Sequence, residues 1–504
     1  MSSEVQNFFS SKTIFITGAT GFQGQMLLSK LLCSCPEIRC IYLLIREKGG
    51  KRINERIKEI FDSSVFERAK DLHPDYESKV KAIQGDCFEN HLGISDHDRA
   101  IIENEVDIVF HVASIVNYDA PLRKAGYVNV RSLDILLGMA KKMTKLKAFV
   151  YVSTAYSACT ETKFIQEEFH NPPVKPKKLL SLIDQLDDTI LTEITPRLMK
   201  SNPDMYLFTK SIAEDLCREK AAELPICIFR PAAVLPTYKE PAPGWINNSY
   251  GMAGVLQNNA MGLTKVICAD KTCKASLVPG DYSTNALILS AYHMSRSWES
   301  KSEESEFEVP IINYSNCATK FGVTWGNFVK EYSKSVEKYP FTKMVNLPSL
   351  NLVNNYLLYR FLVFIHIIIP DIYDTFFLII RSNFRWKKVY RESQYYLNAM
   401  IPITTQELTV TNHNISEIWS SLSKKDKKLF YCNLDDLNTE QYFDVLTRGI
   451  RLYLAKDKET TVQRAQQRRN GFLIAYYAIG AVLSLVGVVF SCLVGRIFIN
   501  LYFN

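Results

Sequence analysis

The sequence predicts an α/β protein built on a doubly wound parallel sheet, and three observations carry that expectation. Short runs rich in Val, Ile and Leu recur through the first half, at residues 13–17, 41–45, 80–84, 107–112, 148–152 and 226–229. Strands covered on both faces read as continuous apolar runs, as these do. Helical patterns separate them, so the strands connect by crossovers and lie parallel. The first run also leads directly into a glycine turn, Gly18, Gly21 and Gly24, followed by the amphipathic segment 25–33.

That strand–turn–helix unit carries the first chemical expectation. Glycine lets the backbone approach a ligand closely, and the amides at a helix start favour an anion. The arrangement fits the pyrophosphate of a dinucleotide, with Gly18, Thr20, Gly21, Phe22 and Gly24 as contacts. A purely structural turn is the alternative. An NAD-preferring site carries a carboxylate at the end of the second strand; this chain has Arg46, with Lys48 close by. Cations there suit a 2′-phosphate, so NADPH is the expected cofactor. Asp86 follows the third strand, placed to meet adenine. His111, Ala113 and Ser114 follow the fourth, where the small residues let the cofactor lie close. His111 reads as a packed residue rather than a catalyst.

Catalytic chemistry is expected from Tyr206 and Lys210, which share one face of a helix that Asn202-Pro203 would start. A phenol titrates near 10, and a neighbouring ammonium lowers that value. The pair suits acid–base work on a carbonyl or alcohol oxygen. Ser153 and Thr154 follow the fifth strand, where a hydroxyl could bond the reacting oxygen or merely cap the strand end. Alternation leaves one of the two facing the cleft, and Thr154 is the preferred candidate.

The division of the chain follows composition. Residues 1–235 form an NADP-binding Rossmann-type domain, and 236–350, opened by Pro236, Pro241, Pro243 and Gly244, the substrate-binding part. Residues 351–455 form a helical domain holding the apolar stretch 356–380. Arg360, His366, Pro370, Asp371 and Asp374 interrupt that stretch, so it reads as a lid or as a surface lying against a membrane. A basic linker, 456–471, precedes 472–494, which has no charge and is long enough to span a bilayer. Positive charge before the span puts the catalytic part in the cytosol, with the span as a C-terminal anchor.

Composition excludes other classes. A net charge of +7 over 504 residues, with the two signs interspersed, is no nucleic-acid footprint. The twelve cysteines include no CxxC pair, so no metal site is expected, and reduced thiols fit the cytosol. Residues 1–11 are polar and do not read as a signal peptide.

Together these residues resemble the extended short-chain dehydrogenase/reductases, and more narrowly the alcohol-forming fatty acyl-CoA reductases. The resemblance rests on the glycine turn, on 152–156, on Tyr206 with Lys210, and on Arg230-Pro231. It continues through the Glu-Pro-Ala-Pro-Gly-Trp segment at 240–245, Val278-Pro279 with Asp281, Phe430, and 449–453. It implies NADPH-dependent reduction of a long-chain acyl-CoA to a primary alcohol in two hydride steps. Tyr206 would be the acid, Thr154 would polarise the carbonyl, and Lys210 would tune Tyr206 and hold the nicotinamide ribose. Asn129, Arg230 and Pro231 join the expected cofactor-binding set. A peroxisomal or endoplasmic reticulum membrane is the expected location. The chain departs from the family at Gln23 and Gln25 and across 251–262, where Lys265 remains as the nearby cation for CoA phosphates. The alternatives are a membrane-bound dehydrogenase acting on a sterol or similar lipid alcohol, and a catalytically silent relative that binds lipid or dinucleotide.

Overall fold

In the computed structural model, which describes residues 3–159, 161–220, 223–301, 307–319, 322–379 and 386–502, seven strands form one parallel sheet. They are β1 (Thr13–Thr17), β2 (Cys40–Ile45), β3 (Val80–Gln84), β4 (Ile108–His111), β5 (Ala148–Val152), β6 (Ile226–Pro231) and β7 (Ile311–Tyr314), in the order β7-β6-β5-β4-β1-β2-β3. Every residue of β1, β2, β4, β5, β6 and β7 is buried, which explains the unbroken apolar runs. The order reverses direction between β1 and β4, and ligands bind at such switch points beyond the carboxyl ends of the strands.

Six of the seven strands match the sequence expectation, with ends shifted by a residue or two. β7 is the addition. Its Ile-Ile-Asn-Tyr is too short to stand out as an apolar run, and β6 recruits it by parallel pairing from Ile311–Ile228 to Tyr314–Pro231.

The helices around the cavity and in the C-terminal region include α1 (Phe22–Ser34), α2 (Met205–Glu219), α3 (Met252–Ala260), α4 (Gly280–Glu299), α5 (Tyr356–Ile379), α6 (Trp386–Thr404) and α7 (Val462–Tyr502). The apolar stretch expected at 356–380 is α5, with Ile380 outside the described residues. α2 starts later than Asn202-Pro203 suggests. Asp204 is its cap, and the carboxylate accepts from Leu207 N at 2.8 Å. α7 carries the stretch that, among the described residues, is long and apolar enough to cross a membrane.

The C-terminal region is welded to the segment after β6 by two glycines. A Cβ on Gly244 would lie 2.5 Å from Val445 O, and one on Gly449 would lie 2.0 Å from Gly244 O. Neighbouring Trp245 stacks on Phe22 at the start of α1, with centroids 5.5 Å apart. The Asp281 carboxylate accepts from the amides of Tyr238, Lys239 and Glu240 at 2.8, 2.7 and 3.1 Å, holding the same segment from α4. Arg451, buried, donates to Pro340 O at 2.8 Å and to Lys458 O at 3.0 Å. Gly449→Ala should therefore lower stability by about 1–3 kcal/mol, the usual range for overpacking, read by denaturant unfolding of the detergent-solubilised protein. Wild-type stability in that variant would contradict the close contact.

Candidate active site

A cavity of about 1310 Å³ opens at the carboxyl ends of the strands. Gly18, Thr20, Gly21, Phe22 and Gly24 line one end. Gly18 takes φ +77°, and a Cβ there would lie 2.6 Å from Ala113 N, so glycine is required. A Cβ on Gly24 would lie 2.2 Å from Gly18 O. Gly21 caps α1 with no side-chain hydrogen bond, so the first-turn amides remain available to a pyrophosphate. The glycine turn, the helix start and the size of the cavity fit a nicotinamide dinucleotide.

Arg46 and Asp86 both line the cavity and pair at 3.2 Å. Arg56 also lines it and donates to Arg46 O at 2.5 Å, so a second cation stands where one was expected. The signal for it lay in the amphipathic helix Ile53–Phe61. Ala113, Ser114 and Pro231 line the cavity as expected.

Four residues expected at the cofactor lie elsewhere. Lys48 bridges to Lys51 in an exposed turn beyond the cavity lining. His111 is fully buried, its Nδ1 bonded to Thr17 Oγ1 at 2.7 Å, and burial holds its pKa down at about 3. It is neutral and structural. Asn129 is buried too; its side chain bonds Ser114 Oγ, Ile115 N, Ile115 O and Thr209 Oγ1, tying the loop after β4 to α2. Arg230 is buried against Glu214. Lys265 stands apart from the cavity lining as well, its carbonyl accepting from Asn351 N at 2.9 Å. Arg123 and Lys124 also line the cavity.

Tyr206, Lys210 and Thr154 converge on the cavity. Lys210 Nζ donates to Val152 O at 2.6 Å and sits 5.8 Å from the Tyr206 ring centroid and 4.7 Å from that of Tyr151. Ser153, which also lines the cavity, spends its hydroxyl on Glu214 Oε1 at 2.5 Å, which leaves Thr154 as the hydroxyl beside Tyr206. Burial pushes the Tyr206 phenol up, Asp204 adds to the rise, and the Thr154 hydroxyl opposes it. Burial also lowers Lys210 to about 7, against an opposite pull from Glu214. The lowering of the Tyr206 pKa expected from its lysine neighbour is not borne out: burial moves the phenol the other way. A protonated phenol is the form that can give up a proton.

Residues that sequence reasoning missed surround Tyr206. Tyr118 meets its ring edge-on at 6.3 Å and lies 5.6 Å from the ring of Tyr396, which α6 contributes. Met400 and Ile403 of α6 line the same wall. Glu214 follows Lys210 by one helical turn, a spacing visible in sequence.

Comparison with known proteins decides the family. A family model described as "Male sterility protein" matches residues 16–287, and a second of the same description matches 365–457. Fatty acyl-CoA reductase wat of Drosophila melanogaster is 34% identical over 482 residues, covering 95% of this chain and 91% of that protein. The chain belongs to the fatty acyl-CoA reductase family. Human fatty acyl-CoA reductase 1 is 29% identical over 500 residues, covering 98% and 93%. The terminal R domain of the myxalamid biosynthetic pathway shares the fold, with a TM-score of 0.58 at 18% identity over 89% of this chain and 92% of that one. This family member is an oxidoreductase that uses a nicotinamide dinucleotide.

Asp204 gives the site a pH signature. Burial raises its carboxyl to about 7 from an ordinary 3.8, so the folded state binds the proton more tightly. Stability then falls as pH rises from 3.8 to about 7. Asp204→Asn keeps an oxygen for Leu207 N without that penalty. It should stabilise the protein above pH 7 by up to roughly 4 kcal/mol, with no gain at pH 4 or below. A gain that does not depend on pH, in parallel denaturation series, would contradict the assignment.

Proposed function

We propose that the protein reduces long-chain fatty acyl-CoA to a primary alcohol, with NADPH as reductant and CoA as leaving group. The observation that carries this reading is the Tyr206 phenol, flanked by Thr154 and Lys210, on a cavity with a dinucleotide turn at one end and an aromatic and apolar wall at the other. Bound at that turn, the dinucleotide supplies hydride. Thr154 donates to the carbonyl oxygen, and Tyr206 delivers the proton as charge develops there. Lys210, which donates to Val152 O, would hold the nicotinamide ribose. Two hydrides and two protons convert the thioester into alcohol and free CoA thiol, with an aldehyde between the steps.

Arg46 and Arg56 support NADPH, because two guanidinium groups at the end of β2 suit a 2′-phosphate. α7 supports a membrane anchor, with basic residues 456–469 on the cytosolic side and a peroxisomal or endoplasmic reticulum membrane as host. Each methylene that leaves water gains about 0.8 kcal/mol, so substrate and product both partition to that membrane.

Tyr206→Phe should abolish NADPH oxidation with a long-chain acyl-CoA while NADPH still binds; undiminished turnover would refute Tyr206 as the acid. Turnover of a sterol in place of the acyl-CoA would move the assignment to a lipid-alcohol dehydrogenase. Replacing Arg46 and Arg56 together by Ala should reduce the preference for NADPH over NADH by about tenfold or more, as two charged contacts are lost. An unchanged ratio of kcat/KM values would remove both arginines from the phosphate site.

A further inference from the structure

Over residues 356–368, where its side chains are described, α5 has one face committed to α6 and one face bare. Tyr359 is buried, and its hydroxyl donates to Gln394 Oε1 at 3.1 Å and to Asn398 Oδ1 at 3.0 Å on α6. In return the Tyr390 hydroxyl donates to Val363 O at 3.2 Å. The opposite face carries Leu357, Phe361, Phe364, Ile365 and Ile368, one helical stripe, with exposures of 78%, 58%, 68%, 40% and 47%. Contiguous apolar patches of this kind on a folded protein mark an interaction surface.

We propose that this face of α5 lies in the same bilayer that holds α7. The occupant follows from where α7 leaves the body. Arg468 Nε donates to Met344 O at 2.8 Å and Arg469 pairs with Glu337 at 3.2 Å, immediately before the exposed apolar run of α7 begins. From Met344 the chain continues through the short strand Asn351–Val353 into α5. The helix that bears Glu337, Trp325–Lys338, packs on that strand, and the strand packs on α5, so one strand links the exit of the anchor to the bare stripe. Exposed Arg360 stands beside the stripe, as expected of an interfacial helix near phospholipid head groups.

The placement has a consequence for substrate, resting on the acyl-CoA reading above. α6 lies between α5 and the cavity: it bonds α5 on one side and contributes Tyr396, Met400 and Ile403 to the cavity wall on the other. Lipid contact at α5 sets that wall at the membrane surface, so an acyl chain moves between bilayer and Tyr206 along the α5–α6 pair.

The full chain in phosphatidylcholine–phosphatidylserine vesicles tests the contact directly. The fluorescence added by Phe364→Trp, relative to the unsubstituted protein, should be quenched when the lipid chains are brominated. Unquenched added fluorescence, with α7 still inserted, would overturn the proposal. Concentration-dependent dimerisation abolished by F361E/F364E, with the fluorescence added by F364W unquenched, would assign the face to a second copy instead. F361E/F364E should also lower turnover of vesicle-borne long-chain acyl-CoA by about tenfold, leaving a water-soluble short-chain acyl-CoA unaffected. Equal turnover of the long-chain substrate would overturn the delivery route. Absence of alcohol from both substrates would instead mark failure of the acyl-CoA reading, and the quenching result stands independently of it.

Discussion

The buried pair between Arg230 and Glu214 is the constraint on which the active site depends. Arg230 Nε and Nη2 meet Glu214 Oε1 and Oε2 at 2.9 and 2.6 Å. Arg230 is wholly buried and its other donors reach Gln166 O and Glu168 O at 3.2 and 3.0 Å. Glu214 takes a third bond from Ser153. Each charge is expensive to bury alone, and losing one partner of such a pair costs about 3–5 kcal/mol. The pair ties α2 to the ends of β5 and β6, and α2 carries Tyr206 and Lys210. The position of Tyr206, the proposed proton donor, thus depends on a contact outside the cavity lining.

A second set of contacts joins the three parts of the chain into one site. Trp245 stacks on Phe22 at the cofactor turn, while neighbouring Gly244 abuts Gly449. Asp281 holds the segment between by three backbone amides. Residues that look like unrelated motifs, far apart in sequence, prove to be one packed seam. α6 closes the cavity from the far side with Tyr396, and its ring lies within contact of Tyr118, which in turn meets Tyr206.

The buried strands and the glycine turn were legible because each follows from a local rule: burial on both faces gives unbroken apolar runs, and close backbone approach demands glycine. The Tyr206–Lys210 spacing was legible for the same reason. β7 was not, since pairing with β6 rather than its own four residues makes it a strand. Asn129 and Arg230 carry side chains that suit a cofactor, yet their partners come from α2 and the loop after β4, which only tertiary structure brings together. Lys48 and Lys265 obey the same logic: charge is visible in sequence, but the direction it faces is not. The upward shift at Tyr206, which burial causes, depends on how deep the helix sits.

The chemistry is tested most directly by following the hydride itself. Purified full-length protein in vesicles, given a long-chain acyl-CoA and NADPH deuterated at the transferred position, should release free CoA and a primary alcohol bearing two deuterons on C1, seen by mass spectrometry. Alcohol without deuterium, a single deuteron in a product that stops at aldehyde, or label in a sterol instead would contradict the two-step reduction assigned to Tyr206, Thr154 and Lys210.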